Sequence, residues 1–130
     1  MIDHCPFCAL QSDQVLLENN LVIGLWDKFP LSPGHALLIP KRHVVDWFEA
    51  TTEEQQELTS ALSEAKQAIE VLTRANIYHI GMNLGQAAGQ TIFHLHIHLI
   101  PRYENDQSDP RGGIRKLFPD KARYWETNKI

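Results

Sequence analysis

Three histidines, His94, His96 and His98, alternate with Leu95 and Ile97 within Thr91–Pro101. In an extended strand a period of two puts all three imidazoles on one face and the aliphatic side chains on the other. The Cα atoms of His94 and His98 would then lie ~13 Å apart, too far for all three rings to share one ion easily through bonds of ~2.0–2.1 Å. The rings must therefore divide their labour. A row of imidazoles suits phosphate chemistry: with a reference pKa of ~6.5, a neutral ring nitrogen is a nucleophile near pH 7. A neighbouring N–H can meanwhile hold phosphoryl oxygens. The competing chemistry is a metal-activated water on an HxH pair made by His94 and His96.

The only two cysteines, Cys5 and Cys8, form a CxxC around Pro6 and Phe7. A disulfide framework needs more cysteines, so the pair reads as reduced, cytoplasmic thiols serving as a metal half-site or a redox couple. Gly85-Gln-Ala-Ala-Gly-Gln90 stands just before the histidine stretch, where small residues would let backbone N–H groups approach an anion. Of the other histidines, His79 matches no motif and reads as structural, and His4 has no assigned role.

The surrounding elements must position these groups. Val15–Glu18 and Leu21–Asp27 read as two strands joined by an Asn19-Asn20 turn, and His35–Pro40 as a short buried strand. Asp46–Glu49 reads as a brief helical turn. Thr52 with Gln55 has the spacing of a capping box opening one long helix, and Leu58, Ala61, Leu62, Ala65, Ala68, Ile69 and Leu72 form its apolar stripe. The acids between Asp46 and Glu70 read as a solvated face. Tyr78–Leu84 and Thr91–Pro101 complete the strands, and residues 102–130 read as an irregular, base-rich tail. Strands with hairpin-type connections and one long helix point to an α+β fold with an antiparallel sheet.

With 130 residues, a charge of −4 and 43 % hydrophobic residues, the chain fits one domain with its own core. The net charge argues against binding duplex nucleic acid. No apolar run is long enough to cross a membrane, and the N-terminus lacks the pattern of a signal peptide.

His94-Leu-His-Ile-His-Leu-Ile100 resembles the signature of the histidine triad family, His-φ-His-φ-His-φ-φ with φ apolar. The likeness extends through Asn83-Leu-Gly, Gly89-Gln-Thr91 and Pro33-Gly-His-Ala-Leu-Leu-Ile-Pro-Lys-Arg-His43, and so spans residues 1–103. The resemblance implies a five-stranded antiparallel sheet with one long and one short helix. It implies a single domain over 1–130, with a core at 1–103 and a tail at 104–130. It also implies a homodimer whose sheets join, and a nucleotide hydrolase or nucleotidyl transferase that cleaves at an α-phosphate through a nucleotidyl-histidine.

By that likeness His96 attacks phosphorus, His98 holds the phosphate or assists the leaving oxygen, and His35 hydrogen-bonds in the same cluster. Asp27 grips the ribose hydroxyls, Asn83 stands beside the phosphates, and Gln90 and Thr91 contact phosphate oxygens. Some bacterial members with an N-terminal CxxC are similar in using the first triad histidine for metal, which implies a structural zinc on Cys5, Cys8, His43 and His94.

The tail is unlike the short ending of the family's phosphoramidases. It is more like those of bacterial dinucleoside polyphosphate hydrolases; Arg111 and Arg115 there read either as solvent-facing charges on the tail or as partners of a polyphosphate leaving group. The implied partners are a purine mononucleotide or dinucleoside polyphosphate. The alternatives are a nucleoside phosphoramidase, or a nucleotide-binding module without turnover. The related uridylyltransferases differ in carrying glutamine at the position of His98.

Overall fold

Short β-branched and leucine-rich runs, separated by Asn, Pro and Gly, form five strands that accompany one long helix in the computed structural model, which describes residues 4–126. Residues 1–3 and 127–130, the ends of the expected 1–130 domain, lie outside the described residues. The strands are β1 (Val15–Glu18), β2 (Val22–Trp26), β3 (Ala36–Pro40), β4 (Ile77–Gly81) and β5 (Ile97–Arg102), and the helix is α1 (Thr52–Thr73). They make one antiparallel sheet in the order β1-β2-β3-β5-β4.

β3 is buried along its whole length because both faces of the sheet are covered there. Ala36 and Leu38 join Ile97 and Leu99 of β5 against Leu58, Ala61, Ala65 and Ile69 of α1. On the opposite face Leu37 and Ile39 pack with Leu25, and with Phe7 and Leu10 from the N-terminal segment. Each fully buried leucine or isoleucine contributes about 1.5–3 kcal/mol relative to exposure. Leu25 and Trp26 both pack into these cores.

Several boundaries differ from the sequence reading for identifiable reasons. The helix caps one residue earlier. The Thr51 hydroxyl accepts from the Glu54 N–H at 3.0 Å and the Glu54 carboxylate accepts from the Thr51 N–H at 2.8 Å. Gln55 instead donates to the Trp47 carbonyl. Glu54 also takes a two-pronged ion pair from Arg42, whose guanidinium is the chief influence holding its carboxyl below the usual range. That acid therefore belongs to the fold and not to the solvated face, and it ties the helix start to the chain just before His43. Leu72, placed on the apolar stripe, is 68 % exposed at the end of α1.

The β1–β2 connection is three residues long and not two, closed by the Asn19 N–H on the Val22 carbonyl at 2.8 Å. β4 stops at Gly81 instead of Leu84. The histidine strand begins at Ile97 and not Thr91, because residues 92–94 bend and the Leu95 N–H leaves the ladder for the Val44 carbonyl at 2.7 Å.

The tail folds into single 3₁₀ turns at Gly113–Leu117, Pro119–Lys121 and Tyr124–Glu126. It docks on the sheet through Gly113, where a Cβ would stand 2.8 Å from His79 Nε2. His79 also meets Arg102 Nη1 at 3.1 Å, which gives it a structural place. Among the described residues, no helix is long and apolar enough to cross a membrane.

Candidate functional site

Two groups of potential ligands assemble from residues far apart in sequence. Cys5, Cys8, His43 and His94 form one, and Asp27, His35 and His98 the other; within each group the ligand atoms lie within 4.8 Å of one another. His96 stands between them, its ring centroid 5.2 Å from that of His98.

The first group gathers at the ends of elements. His43 follows β3, His94 lies in the bend before β5, and the CxxC turn is closed by the Cys8 N–H on the Cys5 carbonyl at 3.2 Å. His94 Nδ1 lies 3.4 Å from Cys5 Sγ, 3.6 Å from Cys8 Sγ and 3.2 Å from His43 Nδ1, and His43 Nδ1 lies 3.3 Å from Cys8 Sγ. A tetrahedron with bonds of ~2.3 Å to sulfur and ~2.0–2.1 Å to nitrogen has edges of about 3.3–3.8 Å, so these separations suit four ligands on one ion. The tautomer also fits. His94 Nε2 lies 2.8 Å from the Pro40 carbonyl, which can only accept, so Nε2 carries the proton and Nδ1 offers its lone pair to the cluster. Burial pushes the His94 imidazole below its ordinary pKa and so keeps it neutral. Burial and the neighbouring Cys5 thiol push the Cys8 thiol up, so a cation is what would hold the Cys8 sulfur as a thiolate. These four residues could therefore hold a metal ion.

The second group is ordered by backbone hydrogen bonds. Gly34, at φ +88°, turns the chain where a Cβ would press on Ile69, and His35 follows it directly. The Leu31 N–H donates to His35 Nδ1 at 3.0 Å, so the His35 proton sits on Nε2. That proton faces His98 Nδ1 at 2.9 Å, with Asp27 Oδ2 at 3.4 Å. His98 is left with its own proton on Nε2. Burial, reinforced by His96 and His35, drives the His98 pKa down to about 4, and burial lowers that of His35 against the pull of Asp27. In this arrangement His35 has no lone pair to give a metal, although its neighbours are close enough to form a site.

His96 is fixed by the carbonyl of His94. Its Nδ1 lies 2.8 Å from that oxygen and must donate, leaving the lone pair on Nε2. A neutral imidazole with an unshared Nε2 pair, next to a ring that presents N–H, is equipped for nucleophilic attack on an electrophile that sheds negative charge.

The structure places the remaining sequence-predicted residues as follows. Asp27 accepts the Phe29 N–H on Oδ1 at 2.8 Å and faces His35 with Oδ2. Thr91 is exposed at the start of the histidine segment. Asn83 lies two residues beyond Gly81, where β4 ends, and is partly buried. Gln90 is buried and turned inward: its amide oxygen accepts the Gly85 N–H, and its nitrogen donates to the carbonyls of Val45 and Ile92. Both amide donors are thereby committed to the backbone. The N–H groups of Ala88, Gly89 and Gln90 likewise close on carbonyls of their own loop. Arg111 binds Asp109 and lies over Trp125, while Arg115 binds the Lys121 carbonyl and lies over Tyr124.

Sequence reasoning did not single out Phe7. Its ring stands 5.2 Å from that of His96 and 5.8 Å from that of His94, and its place inside the CxxC was the available signal. It likewise missed Arg42 and Glu54, which brace the chain beside His43.

Comparison with known proteins agrees with this architecture. Residues 10–105 match the family model described as the HIT domain. A HIT-like protein of Saccharolobus solfataricus is 30 % identical over 106 residues, covering 78 % of this chain and 76 % of its own. The adenylylsulfatase HINT3 of Arabidopsis thaliana is 36 % identical over 106 residues, 78 % of this chain and 54 % of its own. Among solved structures, a histidine triad nucleotide-binding protein of Sulfolobus tokodaii superposes with a TM-score of 0.71 at 34 % identity, covering 77 % of this chain and 70 % of its own. A zinc-bound histidine triad family protein of Mycobacterium smegmatis does so at 0.67 and 31 %, covering 76 % and 72 %. The His-φ-His-φ-His segment, the five-stranded sheet with its one main helix and these matches have one reading: the chain belongs to the HIT family.

Proposed function

We propose that the protein is a nucleotide hydrolase or nucleotidyl transferase that cleaves at an α-phosphate through a covalent nucleotidyl-His96. The carrying observation is the bond from His96 Nδ1–H to the His94 carbonyl, which leaves Nε2 as the ring's only lone pair. Attack by Nε2 forms the N–P bond as the leaving oxygen departs with the bridging electron pair. His98 Nε2–H is the donor that can meet that oxygen, and His35 and Asp27 stand behind it to stabilise the changing charge. Water then attacks phosphorus, the N–P electron pair returns to His96 Nε2, the water's proton passes to solvent and the nucleoside monophosphate is released.

Asp27 is assigned to the ribose hydroxyls through lone pairs not used by Phe29 and His35. Asn83 and Thr91 are assigned to the phosphates. Gln90, first expected to contact phosphate, is assigned the shaping of the loop beneath them, because its donors face the backbone. The substrate class is a dinucleoside polyphosphate or another purine mononucleotide ester. Likeness to an adenylylsulfatase favours adenylyl sulfate as a second substrate.

The metal assigned to Cys5, Cys8, His43 and His94 is a structural zinc. Four protein ligands leave no position for water, so its contribution is to close the N-terminal turn. The chain is assigned as a homodimer in the cytoplasm, with reduced cysteines; β4, an edge strand whose Ile77 and Ile80 are half exposed, supports sheet-to-sheet pairing.

The test is product analysis on a dinucleoside polyphosphate, a nucleoside phosphoramidate and adenylyl sulfate, with mass spectrometry of the quenched enzyme. A nucleotidyl increment on His96 is expected. Turnover without any adduct at that residue would refute the covalent route.

A further inference from the structure

Phe7 lies between the two cysteines and turns its ring into the histidine segment. It meets His96 edge-on, at 5.2 Å and 67°, while His98 meets the same imidazole at 5.2 Å and 66°. The His96 ring is thus confined between two other rings and tethered at one corner by Nδ1–H on the His94 carbonyl. Rotation of the ring off the His94 carbonyl would free Nδ1–H, let the proton move to Nε2 and so remove the attacking lone pair, and that rotation requires the room that Phe7 fills.

Phe7 is itself held in an unusual way. Its segment is neither helix nor strand, and it packs on Leu25, Leu37 and Ile39 as a partly buried side chain. Its backbone is fixed by Cys5 and Cys8 on either side, whose sulfurs reach His94 and His43. The carbonyl that tethers His96 belongs to His94, another member of the same cluster. Two of the three supports of the His96 ring therefore run back to the four candidate ligands.

We infer that Phe7 is a positioning residue that holds His96 as the Nδ1–H tautomer with Nε2 free, and that closure of the Cys5–Cys8–His43–His94 cluster around a metal ion keeps Phe7 in that place. Its catalytic consequence rests on the reading of His96 as the nucleophile. Metal at the cluster then acts on the reaction without touching substrate. It does so through a hydrocarbon ring in contact with the attacking imidazole, where misplacement by an ångström costs up to about a hundredfold in rate.

The experiment uses the full-length, metal-loaded protein, its Phe7→Leu and Phe7→Ala variants, and wild type stripped with a chelator. Long-range ¹H–¹⁵N spectra of the imidazoles at one fixed neutral pH report the His96 tautomer. Metal content is measured on each sample, and kcat and KM are measured with a diadenosine polyphosphate. Wild type is expected as a single Nδ1–H tautomer. Phe7→Ala and stripped wild type are expected as mixtures, and Phe7→Leu, which keeps bulk without the aromatic edge, lies between. In metal-replete Phe7→Ala, kcat is expected to fall by roughly tenfold or more, with KM changed by less than about twofold.

A single retained tautomer in Phe7→Ala or in the stripped protein overturns the inference. So does a rise in KM at unchanged kcat, which would make Phe7 a substrate contact. Absence of a nucleotidyl adduct on wild-type His96 would instead sink the functional reading, and the tautomer spectra would still decide the role of Phe7.

Discussion

His94 and His98 stand four residues apart in one segment, both inside clusters of ligand-type side chains that approach within 4.8 Å, yet their rings are set up in opposite senses. At His94 the Pro40 carbonyl takes the Nε2 proton and turns a lone pair toward two sulfurs and a second imidazole. At the other cluster the Leu31 N–H takes the His35 lone pair, so His35 becomes a donor and His98 its acceptor. The first arrangement collects lone pairs and invites a cation. The second passes hydrogen bonds outward and ends in an N–H suited to an anionic oxygen. Proximity of ligands alone does not separate the two; one backbone group behind each ring does.

The contrast can be broken most severely at the residue between the clusters. His96→Asn is expected to reduce turnover by on the order of a thousandfold or more while nucleotide binding persists, because the attacking atom is lost and the other contacts remain. Retention of more than a few per cent of wild-type turnover would contradict its assignment.

The next effect concerns the metal. One ion per chain is expected by elemental analysis, lost in Cys8→Ser with a marked fall in Tm and retained in Asp27→Asn. Two ions per chain, or loss of metal in Asp27→Asn, would show that the second cluster is also a metal site.

A smaller effect separates the clusters by pH. The His98 pKa is depressed from 6.5 to about 4, so below pH 6.5 the unfolded chain gains a proton that the folded chain refuses until about pH 4. Stability is therefore present above pH 6.5 and lost as pH falls through that window, by up to about 3 kcal/mol before solvent screening is discounted. His35 and His94, also depressed, add to the same trend. Denaturant melts of His98→Asn are expected to show a shallower acid slope than wild type, and an unchanged slope would contradict the burial argument.

The smallest change is at the ribose. Asp27→Ala is expected to weaken ribonucleoside monophosphate binding by about 1–3 kcal/mol and to narrow the preference over the deoxy form. Titration calorimetry with both nucleotides measures it, and equal affinities of mutant and wild type would remove Asp27 from substrate recognition.

Much of the fold was legible because period and composition are local properties. The Leu58–Ala61–Ala65–Ile69 stripe and the continuously apolar Ala36–Pro40 each declare an element from neighbouring residues alone, whereas of the alternating triad only His98 stands in a strand. Boundaries were less legible where side chains compete for the same backbone groups. Thr51 with Glu54 and Thr52 with Gln55 both have spacings that suit a cap, and Arg42, brought by the fold to Glu54, favours the first. Gln90 was readable as a donor near the phosphates, but only the approach of Val45 and Ile92 turns both of its N–H groups inward.

By itself the sequence determined which residue types were present and at what period: three imidazoles in alternation, a CxxC, and an apolar strand running into His43. Tertiary structure alone decided what each imidazole can do. A ring's tautomer is set by whichever carbonyl or N–H lies within hydrogen-bond distance: the fold brings the Pro40 carbonyl to His94, and the loop turn at Gly34 and the bend before β5 bring the Leu31 N–H to His35 and the His94 carbonyl to His96.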